Sequence, residues 1–144
     1  MDNLNPNEVI NGVDGECWID GAKMAEISEF EAILKMIYTD IPLPGKLVKG
    51  KKLTGEEHTG KMHLYHVSDV IQNKVAENLK NRKAPLFTVI GKVADPDSRG
   101  TTRISLFDVK FDEVPLLKYA RQSVTEYDIN FTFGDYDITE SITS

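Results

Sequence analysis

Two segments in the last third of the chain alternate between apolar and polar side chains with a period of two residues. They are residues 103–111 and 126–133, and the polar positions of both include acids. Strict alternation predicts a β-strand with one face in the core and the other in water. Shorter extended patterns predict further strands over 16–19, 60–67 and 86–93, with a hairpin turn at Asp20-Gly21.

The segment 24–41 fits two periods. A helical stripe is formed by Ile27, Phe30, Leu34, Ile37 and Ile41. One face of a strand is formed by Met24, Phe30, Ala32, Leu34, Met36 and Tyr38. Periodicity alone slightly favours the helix. The β-branched and aromatic content favours a strand, as does a resemblance described below, and we predict a long strand.

One helix is predicted, over residues 69–83. Ser68 is a suitable N-cap, and an inner stripe is formed by Ile71, Val75 and Leu79. Basic residues occupy the last turn, and Pro85 ends the helix. The predicted order is therefore β-β-β-α-β-β-β, in a single domain that spans residues 1–144.

Two segments lack a period. Residues 1–14 are polar and predict an extended N-terminal arm. Residues 44–59 contain Gly and Pro and are rich in Lys, which predicts an exposed, mobile loop. The charged residues of this loop are Lys46, Lys49, Lys51, Lys52, Glu56 and Glu57.

Composition and charge narrow the function. The chain has 144 residues and a net charge of -6, which disfavours tight binding to phosphate backbones. No apolar run is long enough to span a membrane, and the N-terminus lacks an export signal, so we expect synthesis in the cytoplasm. Five lysines lie within residues 46–61 and eight acids within 107–140. These regions of opposite sign favour contact between identical copies.

Candidate chemical sites are weak. His63 and His66 are three apart on a strand and point to opposite faces, which disfavours a metal site. The turn 95–100 lacks the spaced ligands of a calcium loop, and residues 45–52 lack phosphate-loop spacing. Single Cys17 is expected to be a small core residue. We predict neither a cofactor nor enzymatic activity.

The acids of the alternating segments form the second candidate group. It contains Asp108, Asp112, Glu126 and Asp128. They lie among other charges, without a candidate for a raised pKa, so a solvated face is expected rather than acid-base catalysis.

Several motifs, in this order, resemble the tail tube proteins of contractile, PBSX-like phages and of phage-tail-like bacteriocins. The most specific are Trp18-Ile-Asp-Gly21, Leu64-Tyr-His-Val-Ser68, Phe107-Asp-Val-Lys-Phe-Asp112 and Phe131-Thr-Phe-Gly-Asp-Tyr-Asp-Ile138. Each motif is weak alone, but their order and spacing together are fairly specific. The likeness covers nearly the whole chain.

The resemblance implies a mainly β fold, a β-sandwich or partial barrel with one flanking helix. It implies six copies in a ring with a continuous inner β-barrel, built from strands 24–41 with 60–67 and 103–113 with 123–137. Loop 44–59 would reach the adjacent ring. Stacked rings would form a hollow tube inside a contractile sheath, located in the virion tail and assembled in the host cytoplasm.

The implied partners are further copies of the chain, the sheath protein, and baseplate and tail terminator proteins. The tape measure protein and DNA would occupy the lumen without specific binding. An acid-rich lumen would repel DNA phosphates. The alternative is a monomeric β-barrel module for a small ligand, which needs a closed apolar pocket that the polar strand faces disfavour.

Overall fold

The structure, a computed structural model, describes residues 15–94 and 100–142 together with Pro6. The predicted arm 1–14 and most of the turn 95–100 lie outside these residues. The elements are β1 Gly15–Ile19, β2 Ala22–Lys23, β3 Ile27–Ile41, β4 Gly50–Tyr65, α1 Val70–Lys80, β5 Phe87–Val93, β6 Thr102–Phe111, β7 Glu126–Thr132 and β8 Asp135–Glu140. Over the described ranges, the structure holds no helix of the length and hydropathy that a membrane span requires.

The strands form one antiparallel sheet in the order β2-β1-β5-β6-β7-β4-β3, and β8 pairs with β6. The mainly β class with one helix is therefore confirmed. One half of the sheet contains β1, β2, β5 and β8, and the other contains β3, β4 and β7. Strand β6 joins the two halves into one sheet, because it pairs with β5 and β8 and, at its end, with β7. Among the described strands, the sheet does not close into a barrel within one chain.

The core lies where the two halves of the sheet face each other. In β7 every second side chain is buried, and Tyr127, Ile129 and Phe131 point inward. Phe30 of β3 stacks on Phe131 with ring centroids 5.9 Å apart. This arrangement confirms the alternation that was predicted for residues 126–133.

Two glycines make room for aromatic rings in this core. A Cβ atom at Gly91 of β5 would lie 2.9 Å from the Phe30 ring. At Gly60 of β4 it would lie 2.2 Å from the Phe131 ring and 2.7 Å from the Glu31 carbonyl oxygen. Gly91 therefore leaves no gap in β5, because the ring of Phe30 fills the space that a side chain at position 91 would occupy.

The alternation in residues 103–111 is not strict. Leu106 and Val109 are both buried although they are three residues apart, and Asp108 between them has a φ of 55°. The pairing of β6 with β5 shifts register at the same point. A β-bulge therefore reverses the faces of the strand. The sequence carries this signal, since its apolar positions change phase between Leu106 and Phe107.

The prediction of a loop over residues 44–59 is wrong for the second half of that range. Residues 50–59 belong to β4, which pairs with β3 from Ile41↔Gly50 to Ile27↔Leu64. The exposed connection shrinks to residues 42–49. Most of residues 50–59 are exposed and show no apolar alternation, so their periodicity did not predict a strand. They form one because their backbone pairs with β3. The long strand predicted for 24–41 is confirmed as β3.

Two other boundaries differ. The helix covers Val70–Lys80, shorter than the predicted 69–83, and Asn81 is its C-cap. The predicted strand 123–137 is two strands, because the chain leaves β7 at Gly134 and continues as β8 beside β6. Consequently 103–113 and 123–137 are not a hairpin: β6 and β7 pair at only two positions, while β7 pairs with β4 over seven.

The helix is attached to the sheet by a small buried contact. Ile71 and Gln72 are its buried residues, and the Gln72 amide donates a hydrogen bond to the Tyr127 hydroxyl at 3.1 Å. Lys74 contacts the carboxylate of Asp20 and lies over the Phe87 ring. These contacts hold α1 against β7 and the β1–β2 turn.

Replacing Gly60 by Ala is expected to destabilise the chain by about 1–3 kcal/mol, because the added methyl group has no space beside the buried Phe131 ring. Gly55→Ala on the same strand is the control, since its nearest neighbour would be the Ile37 side chain at 3.7 Å. Urea unfolding measures both. Equal stability of the two variants would contradict the packing described for Gly60.

Candidate assembly surface

The hairpin of β3 and β4 extends beyond the rest of the sheet. β4 pairs with β7 only from Thr59 to Tyr65, while its pairing with β3 continues to Gly50. Residues 34–41 and 50–58 therefore form a two-stranded ribbon. In the described part of the chain no strand pairs with either outer edge of this ribbon. Unpaired edges of this length favour association with another strand.

One face of the ribbon continues the core face of β3. Phe30 and Ala32 pack against the core, and on the same side the strand continues with Leu34, Met36 and Tyr38. These three side chains are 40%, 55% and 53% exposed, and Leu53 on the paired strand is 55% exposed. An apolar face that runs past its own core indicates a surface that another molecule covers.

The lysines predicted as a contact group lie at the end of the ribbon. Lys46 and Lys49 are on the connection 42–49, beside the exposed Leu47 and Val48. Lys51 forms an ion pair with Asp40 at 3.1 Å. No ion pair of Lys46, Lys49 or Lys52 is found among the described residues.

The two acids of that predicted group lie further down the ribbon. Glu57 is paired in register with Lys35, and Glu56 with Met36, closer to the body of the domain than the lysines. The structure therefore separates the predicted group into a basic end and an acidic middle.

The four acids predicted as one face are also separated. Glu126 and Asp128 lie on the exposed face of β7. Asp112 follows β6, and its N–H donates to the Asn130 carbonyl oxygen at 3.0 Å. Asp108 lies in the β-bulge, beside Gly134.

His63 joins the two acids of β7. Its Nδ1 donates to Asp128 at 2.6 Å and its Nε2 to Glu126 at 3.2 Å. A neutral imidazole has one N–H group and one lone pair, whereas an imidazolium donates from both nitrogens. The two contacts are therefore those of a protonated histidine that links β4 to β7.

The same contacts shift two pKa values. The hydrogen bond to Asp128, followed by that to Glu126, raises the pKa of His63 above its ordinary value of 6.5. The hydrogen bond from His63 lowers the pKa of Asp128. The raised pKa belongs to the histidine and not to a carboxyl group, since the pKa of Asp128 is lowered.

The other two histidines have separate partners. His58 Nδ1 contacts the Phe133 carbonyl oxygen at 3.1 Å, and its ring stacks on Phe133. His66 Nε2 contacts Asp69 at 2.7 Å. Within the described ranges, no three His, Cys, Asp or Glu side chains form a group that could hold a metal ion.

The side of β3, β4 and β7 that faces away from the core is polar, and we call it the outer face. Glu29, His63 and Asp128 are in register across the three strands, as are Glu31, Lys61 and Asn130. With Glu126, the part of the outer face that all three strands share carries four acids against Lys61 and His63, and on the ribbon the same side adds the pair Lys35 and Glu57. Its charge is therefore mixed with an acidic excess.

Cys17 takes no part in this surface. It is 5% exposed, and burial raises the pKa of its thiol to about 12. The prediction of a core residue is confirmed.

The His63 contacts are expected to make stability depend on pH. Because the pKa of His63 is raised in the folded chain, its contribution is complete below pH 6.5 and is lost as the pH rises through the folded value. The difference in unfolding free energy between the native chain and His63→Gln should therefore shrink above pH 6.5. His66→Gln is the control. A difference that stays constant from about pH 5 to about pH 9 would contradict this linkage.

Comparison with known proteins assigns the family. The family model described as "Phage tail tube protein" matches residues 2–140. The phage-like element PBSX protein XkdM of Bacillus subtilis (strain 168) is 31% identical over 141 residues, which cover 96% of each chain.

Two solved structures share the fold at low identity. One is a cryo-EM structure of the anti-feeding prophage cap, the tube terminating cap, with a TM-score of 0.71 at 5% identity and 97% coverage of both chains. The other is the sheath-tube complex of an extracellular contractile injection system in its extended state, with a TM-score of 0.65 at 6% identity and 92% coverage of both. With the family match, these findings establish that the chain belongs to the phage tail tube protein family and is a structural protein of the virion tail.

Proposed function

We propose that six copies of the chain form a ring, and that rings stack into a hollow tube inside a contractile sheath. The ribbon is the observation that carries this proposal. Among the described residues, no strand pairs with either of its edges and its apolar face is exposed. Joining the sheets of neighbouring copies into a closed barrel pairs every edge at once.

The bore of this tube is formed by the outer face. The apolar side of β3, β4 and β7 is needed for the core, so the polar side is the one that can face a water-filled channel. The carboxylates of this face that lie away from the edge strand β3, Glu126 and Asp128, repel phosphate groups and let DNA, or ions in a particle without a genome, pass without binding. Glu126 and Asp128 are the lumen residues among the predicted acids.

Stacking of rings is assigned to the end of the ribbon. Lys46, Lys49 and Lys52 have no ion pair in the described part of the chain, and Lys51 has only an exposed one. We place them against acids of the next ring, such as Asp108 or Asp112. Glu56 and Glu57 then contact the same neighbour closer to the ring plane.

The partners follow from this arrangement. The sheath surrounds the tube, the baseplate starts it, a terminator protein ends it, and the tape measure protein occupies the bore before DNA does. The family is a structural one. The alternative, a monomeric β-barrel for a small ligand, is disfavoured because the described sheet is open and encloses no barrel interior.

Electron microscopy of the purified chain tests the proposal. We expect rings or tubes with sixfold symmetry, whose yield rises with protein concentration because the ribbon is covered only in the assembly. A species that stays monomeric at high concentration, measured by sedimentation, would contradict the proposal and favour the alternative.

The stacking role is tested by replacing Lys49, Lys51 and Lys52 with Glu. We expect rings to form while tubes shorten or disappear, since like charges then face each other between rings. The control replaces Lys80, Arg82 and Lys83 with Glu, an equal change of charge at the end of α1. Tubes of normal length from the ribbon variant would exclude an inter-ring role for these lysines.

A further inference from the structure

The segment between β6 and β7, residues 112–125, contains no helix or strand. Four large apolar side chains of this segment are between 72% and 77% exposed: Leu116, Leu117, Tyr119 and Val124. Irregular segments of this length in a compact domain are usually functional. An exposed apolar cluster marks a site of interaction. We call residues 112–125 the β6–β7 segment.

This segment lies beside an open part of the β7 edge. On that side of β7, pairing with β6 covers Phe131 and Thr132, and the Asp112 N–H reaches Asn130. Further along, the Glu126 carbonyl oxygen accepts a hydrogen bond from Lys118 Nζ at 3.0 Å instead of from a strand. Lys118 therefore lies over a part of the β7 edge that no described strand pairs with.

The charges of the β6–β7 segment are suited to an acidic partner. Beyond Asp112 and Glu113 its only charged residues are Lys118 and Arg121. Neither forms an ion pair with another described side chain. The nearby acids Glu126 and Asp128 are already held by His63. Lys118 acts on Asp128 at a distance and helps to lower the pKa of that acid, but neither Lys118 nor Arg121 forms a direct ion pair with a described side chain, and both lie next to exposed apolar groups.

The chain presents the complementary surface at the start of β3. Residues 27–33 are at the open end of the sheet, since β3 pairs only with β4. They carry Glu29 and Glu31 and no basic residue before Lys35, with Ile33 47% exposed. Neither glutamate has an ion-pair partner in residues 15–94 or 100–142. The lysine-bearing end of the ribbon, in contrast, would be repelled by Lys118 and Arg121.

We propose that the start of β3 in one copy docks on the β6–β7 segment of the next copy, with Glu29 and Glu31 against Lys118 and Arg121. This contact rests on the proposed ring. It joins two different surfaces of the same chain, which is the type of contact that builds a ring when its rotation closes. The apolar groups of both surfaces supply the buried area, and the charges fix which edges meet.

A charge swap tests the contact. Lys118→Glu with Arg121→Glu, or Glu29→Lys with Glu31→Lys, is expected to raise the concentration needed for ring formation about tenfold or more, since like charges then face each other. Combining all four changes should restore assembly. The control is Lys80→Glu with Lys83→Glu at and just beyond the end of α1, and circular dichroism verifies that each variant folds. Failure of the folded quadruple variant to recover, or normal assembly of either double variant, would overturn the contact.

Cross-linking gives an independent measurement. Glu31→Cys and Arg121→Cys chains are mixed and treated with a short flexible bis-maleimide; buried, protonated Cys17 should not react. We expect heterodimers to exceed the dimers that either variant forms alone. Equal yields in rings of normal shape would reject this contact and leave the proposed tube standing, whereas absence of rings in the native chain would reject the tube itself.

Discussion

The backbone pairing of β3 with β4 is the constraint on which the other features depend. The two strands have 15 and 16 residues, about 50 Å at the rise of an extended chain, whereas β7 has seven residues and covers less than half of β4. The long ladder of hydrogen bonds between β3 and β4 therefore holds the side chains of the ribbon beyond the core that the described residues form. Since no described element covers the edges or the apolar face of that projection, we expect a second molecule to cover them.

This constraint also explains which elements could be predicted from the sequence. In β7 one face is buried within the chain, so alternation identifies the strand directly. Residues 50–58 lie mostly in water in the single chain, and their polar, glycine-containing sequence looked like a loop. Periodicity reports burial inside one chain, and it fails where pairing rather than packing forms the strand. The prediction of strict alternation over 103–111 was wrong at Asp108, although the apolar positions change phase beside it.

The sequence indicated a surface for contacts between copies, but it did not indicate how the residues of that surface are arranged. Opposite charges in two regions indicated contacts between copies, and the lysines do lie together at the end of the ribbon. The joining of His63 to Glu126 and Asp128 could not be predicted, because the partners are 63 and 65 residues apart and meet only through the register of β4 with β7. A shift of one residue would turn His63 to the other face of the sheet.

Charged side chains and exposed apolar side chains contribute differently to such an assembly. Copies that each carry a charge of -6 repel one another at a distance, so association requires local contacts that overcome this repulsion. The exposed apolar residues of the ribbon supply free energy but little direction, since hydrophobic attraction is not directional. In the proposed contacts, the cations of the ribbon end and of the β6–β7 segment face acids of a neighbouring copy, and the like-charge repulsion of other alignments would exclude them. In a net acidic chain, cations at the surfaces where copies meet therefore supply the local attraction that offsets this repulsion.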